Sequence, residues 1–179
     1  MFDSLLPYRS SHERRYTLGE EIANGVTHGA GALLSVAALV ILVVSAALGG
    51  GILHVVSYAV FGSSLIVLYT MSTLYHSVTN LRAKRVLEIL DHSCIYILIA
   101  GTYTPFALTA LPPTLGWWIF GAEWSLAVAG IALKVIWFDR WKLLSVLGYV
   151  AMGWLVAPAV GALREALPSE SVILRVAGG

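Results

Sequence analysis

Five apolar segments, each long enough to cross a bilayer, leave this chain few ways to fold. A hydrocarbon core of about 30 Å needs about 20 apolar residues in helical form. The segments are Val26–Leu48, Leu53–Ser77, Val86–Leu111, Leu115–Phe138 and Leu143–Leu163. Gly49-Gly50-Gly51 ends the first, a polar stretch from Val78 to Arg85 follows the second, and Pro112-Pro113 closes the third. Asp139–Lys142 separates the fourth from the fifth. Charge agrees: only 12% of residues are Asp, Glu, Lys or Arg, against about 25% in a soluble domain. The expected fold is all-α, a polytopic transmembrane helix bundle. Residues 1–25 are expected to form an N-terminal arm, and 26–179 a single transmembrane domain.

Other properties narrow the function. The net charge of +1 gives no basic field for nucleic acid, so the expected partners are membrane lipids. Cys94 is the one cysteine, which excludes an intramolecular disulfide. Pro7, Arg9, Arg14, Arg15, Glu20 and Glu21 precede the first apolar run. No short apolar stretch with a cleavage site stands behind a basic start, so the first span is expected to stay in the mature protein.

Lys and Arg in short loops set orientation. The arm carries Arg9, Arg14 and Arg15; the second loop has Arg82, Lys84 and Arg85; the fourth has Arg140 and Lys142. The first and third loops have none. The alternation predicts a cytoplasmic N-terminus in the cell (inner) membrane, with the tail outside. Trp117, Trp118, Trp137 and Trp141 fall near span ends, as an aromatic belt does.

That orientation brings polar groups together. His28 begins span one, His76 ends span two, and Asp91 and His92 begin span three. All four then lie at the cytoplasmic level. Ionisable groups at membrane depth are costly and mark functional sites by default. Imidazole with carboxylate suits a metal centre. Ser72 and His76 are four apart and share one helix face. Asp91 and His92, about 100° apart, cannot both face one centre. Plainer roles compete: a histidine at a helix end is commonly interfacial or hydrogen-bonded, and Asp91 has Lys84 and Arg85 within reach or can cap its helix. Cys94 can face the same site or simply pack. A kink is expected at Tyr103-Thr104-Pro105.

Three stretches carry a family resemblance. They are Glu20-Glu-Ile-Ala-Asn-Gly-Val-Thr-His28-Gly, Ser72-Thr-Leu-Tyr-His76, and Asp91-His-Ser-Cys-Ile-Tyr-Ile-Leu-Ile-Ala-Gly-Thr-Tyr-Thr-Pro105-Phe. Together with Ala151-Met-Gly-Trp154, they resemble the bacterial haemolysin III-related membrane proteins. These are relatives of the progestin and adipoQ receptor family, which includes the adiponectin receptors. The resemblance covers nearly the whole chain from Leu18 onward. It implies seven transmembrane helices with a cytoplasmic N-terminus. It also implies a zinc ion (Zn2+) held by one histidine at the end of span two and two in an HxxxH on span seven, beside a serine and an aspartate. Carried over, His76 is the metal ligand, and Ser72 and Asp91 are the catalytic or supporting residues. His28 and His92 match motif positions without a ligand role. The wider superfamily includes alkaline ceramidases, which implies hydrolysis of a lipid amide.

The sequence departs from the pattern in one respect. Its histidines are 12, 28, 54, 76 and 92, so it contains no HxxxH. Five spans are expected here of seven, with Val172–Gly179 as the opening of a sixth. The expectation is a truncated chain that binds zinc poorly and lacks hydrolase activity. The complete form is expected to be a zinc-dependent, ceramidase-like hydrolase. The alternatives are a receptor or regulator of lipid composition without enzymatic activity, and a cytolytic pore-forming protein. No span shows a continuous polar stripe, which speaks against the last.

Overall fold

Two of the helices begin where a side chain accepts from their first N–H groups. In a computed structural model describing residues 16–137 and 142–161, the earliest start is at Thr17. Its hydroxyl accepts from the Glu20 N–H at 3.3 Å, and the Glu20 carboxylate accepts from the Thr17 N–H at 2.6 Å. This reciprocal pair is a capping box. Helix α1 therefore runs Leu18–Gly49 and starts inside the segment expected as an arm. Its 32 residues span about 48 Å at 1.5 Å per residue, so it is longer than the bilayer core is thick.

Helix α2 covers Ile52–Ser77. Asn80 then caps α3, its side-chain oxygen accepting from the N–H groups of Arg82 and Ala83 at 3.1 Å. Helix α3 runs Leu81–Thr109, so the polar connection shrinks to residues 78–80. The helix passes through Pro105 without ending. Helix α4, Pro113–Trp137, opens on a proline, whose missing N–H costs nothing at that position.

The fifth expected span is not one helix. Helix α5 covers Lys142–Trp154, and a 3-10 turn follows at Ala157–Ala159. Pro158 has no N–H to offer the Trp154 carbonyl, which breaks the ladder there. Arg9, Arg14, Arg15, the Asp139–Trp141 connection, Arg164, Arg175 and Val172–Gly179 lie outside the described residues.

All the described elements are helical, and α1 to α4 are long and apolar enough to cross a membrane. They pack in chain order, α1 on α2, α2 on α3, and α3 on α4, with α5 against α3 and α4. Small residues allow the close approaches. A Cβ at Gly62 would come 2.6 Å from Leu39 Cδ1, and one at Gly31 would come 2.9 Å from the Tyr69 ring. The interior is built of two clusters. Tyr96, Ala100, Ala127 and Met152 form one, and Ala107, Leu111, Ile119 and Ala159 form the other. Large apolar side chains such as Leu33, Leu34, Ile41 and Trp118 point outward. That inversion suits hydrocarbon rather than water as the surrounding solvent.

Candidate functional site

Helical register places two polar residues from each of three helices on one line. On α1, Glu21 and His28 are seven apart, as are Lys84 and Asp91 on α3. Seven residues return to within about 20° of the same face and advance about 10 Å. On α2, Ser72 and His76 are four apart. Because α1 and α3 run opposite to α2, the outer level holds Glu21, His76 and Lys84. The inner level holds His28 and Ser72, with Asp91 at that height by register.

The outer level is tightly bonded. His76 Nδ1 donates to Glu21 Oε2 at 2.7 Å, and Lys84 Nζ donates to Glu21 Oε1 at 2.7 Å. The His76 side chain is 6% exposed and that of Glu21 18%. Lys84 also donates to the Tyr75 carbonyl at 3.2 Å and sits 4.9 Å above the Tyr75 ring. Tyr16 meets the His76 ring edge-on. At the inner level, His28 Nδ1 and Ser72 Oγ share a 2.6 Å hydrogen bond. The His28 and His76 rings lie 5.9 Å apart, which joins the two levels.

The chemistry of this arrangement follows from the carboxylate. An ionised Glu21 only accepts, so His76 Nδ1 carries the proton. In neutral His76 the lone pair then lies on Nε2, the atom that can bind a metal or take a proton. Such a carboxylate–imidazole couple is the usual way to fix the tautomer and orientation of a metal-ligating histidine.

Of the residues singled out from the sequence, the structure brings His28, Ser72 and His76 together. Asp91 is half-buried and lies within electrostatic range of Cys94 and of Tyr149 on α5. Lys84 is turned to Glu21 and Arg85 to Glu88, the latter at 3.6 Å. His92 faces elsewhere: its Nδ1 donates to the Glu88 carbonyl at 2.7 Å, and its own carbonyl accepts from Tyr149 at 2.9 Å. Sequence reasoning missed Glu21 as a partner of His76. The signal was its seven-residue spacing from His28, legible only if α1 begins at Leu18.

A zinc ion usually needs three protein ligands. His76 fits as one, with Nδ1 anchored and Nε2 available. His28 Nδ1 is committed to Ser72. No group of three His, Cys, Asp or Glu residues that could hold a metal stands together among the described residues. The residues present thus supply one ligand and its carboxylate support, not a complete zinc site.

Comparison with known proteins adds an independent line. The family model described as "Haemolysin-III related" matches residues 16–179. The chain is 48% identical over 164 residues to the "Hemolysin-3 homolog" of Bacillus subtilis (strain 168), covering 92% of this chain and 77% of that one. It is 46% identical over 160 residues to "Hemolysin-3" of Bacillus cereus, covering 89% and 73%. At 27% identity over 183 residues it is similar to the human "Monocyte to macrophage differentiation factor", covering 92% and 71%. No solved structure matches the chain.

Proposed function

The chain belongs to the haemolysin III-related family of membrane proteins, and from that premise we propose that its polar cluster is part of a zinc-dependent centre that hydrolyses a lipid amide. The observation that carries this reading is the His76–Glu21 couple. A carboxylate at 2.7 Å holds Nδ1–H and leaves Nε2 free to ligate. Zinc, when bound, supplies a Lewis acid that lowers the pKa of water it holds. This chain's own residues do the rest. Glu21 orients His76, and Lys84 neutralises Glu21 on its far side. Ser72 and Asp91, at the inner level, position or deprotonate water and orient the carbonyl. The same reading puts the N-terminus and the cluster on the cytoplasmic side of the cell membrane, following the Lys and Arg distribution.

The test is zinc content and turnover of a form extended to the length of the two Bacillus relatives, purified in mild detergent. That form is expected to hold zinc and its His76→Ala variant to lose it, whereas the 179-residue chain, which supplies one ligand, is expected to bind zinc poorly. Glu21→Gln should weaken zinc binding by about 10–100-fold, the usual effect of losing such a partner. A zinc content unmoved by His76→Ala sinks the proposal. Zinc retained without cleavage of ceramide-like lipids favours a receptor or regulator instead. The names of the two Bacillus relatives favour a cytolytic reading, which release of dye from liposomes would support.

A further inference from the structure

A second ionisable group lies far from the Glu21–His76 cluster. Glu123 sits near the middle of α4, about 15 Å from Pro113 at 1.5 Å per residue. It is 0% exposed, and neither carboxyl oxygen has a hydrogen-bond partner among the described residues. Its neighbours one turn away on the same face are Ile119 and Ala127, which belong to the two apolar clusters. A bare carboxylate there would cost several kcal/mol even after local relaxation. Membrane-embedded carboxyls without a stated partner are functional candidates for that reason.

The surroundings choose the form the group takes. Two described donors near it in sequence or in electrostatic range are already committed. Trp124 Nε1 donates to Thr104 Oγ1 at 3.1 Å. The Tyr103 hydroxyl, within electrostatic range of Glu123, donates to the Gly153 carbonyl at 2.6 Å. That carbonyl lies where α5 breaks. Leu155 N–H turns back to Met152 and Ala159 N–H to Val156, at 3.0 and 2.8 Å. The Trp154 carbonyl loses its helical donor to Pro158. Broken helices at membrane depth are tolerated where they are buried in protein or line a cavity. Neither of these two described donors, Trp124 Nε1 and the Tyr103 hydroxyl, is given to Glu123. A neutral acid, with its own O–H to give, suits such a setting; a carboxylate does not.

The other titratable groups are few. On α3 the facing one is Tyr103. On α4 itself the next ionisable residue toward the C-terminus is Lys134, about 16 Å along the axis. Tyr149 on α5 gives its hydroxyl to the His92 carbonyl. Tyr103 lies twelve residues beyond Asp91 on α3, about 18 Å, so this place is distinct from the cluster described above. We infer that Glu123 is a proton-binding site in the membrane interior, holding its proton as a neutral carboxylic acid between the two apolar clusters.

Dicyclohexylcarbodiimide tests this on the full chain in lipid nanodiscs. This apolar reagent adds a protonated carboxyl across its C=N bond, taking up the acid's proton with no leaving group. Peptide mass mapping is expected to find the adduct on Glu123 at neutral pH, with labelling falling as pH rises, and Glu21 serving as an internal comparison. Glu123→Gln, near in shape to the neutral acid, should abolish the label and keep the wild-type unfolding midpoint. Infrared spectra should lose one protonated-acid C=O band in that variant. An unlabelled Glu123, with only carboxylate bands, would mean an ionised side chain paired with a base and would overturn the inference. Protection of Glu123 by sodium ions alone would also overturn it, in favour of a metal-cation site. Should Glu123→Gln fail to fold, wild-type labelling and the wild-type infrared spectrum still decide.

Discussion

Replacing Glu21 should loosen three helices at once, because one carboxylate on α1 ties α2 and α3. Its two oxygens accept from His76 Nδ1 and Lys84 Nζ, each at 2.7 Å. The raw attraction between Lys84 and Glu21 is about 6 kcal/mol at an effective dielectric of ~20. Desolvation and side-chain ordering cancel most of it. Hydrogen bonds to charged groups retain about 1.5–3 kcal/mol each. The two losses are unequal. Lys84, 23% exposed, keeps the Tyr75 carbonyl and ring, whereas His76, at 6% exposure, is left with a buried unpaired N–H. Glu21→Ala is therefore expected to lower unfolding free energy by about 3–5 kcal/mol, and Glu21→Gln by about 1–2 kcal/mol, since an amide oxygen still accepts one bond. A double-mutant cycle with Lys84→Met should return a coupling of about 1–2 kcal/mol. The assay is reversible unfolding in mixed micelles, followed by tryptophan fluorescence. High salt should change the result little, because the pair is largely shielded from water. A Glu21→Ala loss below about 0.5 kcal/mol, the level of an ordinary surface change, would refute the reasoning. So would a coupling of zero.

Three further outcomes are expected. Gly62→Ala would set a methyl 2.6 Å from Leu39 Cδ1 and 3.1 Å from Leu39 Cα; unfolding in micelles should show a loss of about 1–3 kcal/mol from overpacking, and an unchanged midpoint would mean that α1 and α2 do not approach this closely. Tyr103→Phe removes the bond to the Gly153 carbonyl and should cost about 1 kcal/mol, with faster amide exchange in the last turn of α5. Cys94, 5% exposed, should resist maleimide in the folded protein and react only on unfolding; prompt modification would show that its face of α3 is open.

The helices were legible because a bilayer demands uninterrupted apolar length, and Leu53–Ser77 or Leu115–Phe138 can satisfy it in one way only. Their ends were less legible. Leu18–Gly25 and Leu81–Arg85 are polar enough to read as arm and loop, yet Thr17 with Glu20, and Asn80, supply acceptors that let the helices start there. Pro158 inside the fifth apolar run carried its own warning: hydropathy counts side chains, whereas the break comes from a missing N–H. The convergence of His28, Ser72 and His76 followed from short connections, which make consecutive spans antiparallel and bring the start of one beside the end of the next.

The one-dimensional pattern by itself thus determined that this chain is a helical membrane protein of the haemolysin III-related family, with imidazoles and a hydroxyl gathered toward one end of its spans. Those properties depend on composition, length and spacing along single helices. Only the tertiary structure decided who bonds with whom. Glu21 rather than Asp91 meets Lys84, His92 turns away to the Glu88 carbonyl, and Glu123 is buried without a hydrogen-bond partner among the described residues. The Glu21–Lys84 pairing and the burial of Glu123 depend on how neighbouring helices are rotated about their axes. That rotation is set by packing at positions such as Gly62 against Leu39 and Gly31 against Tyr69. Residues far apart in sequence fix it jointly, so no single segment encodes it.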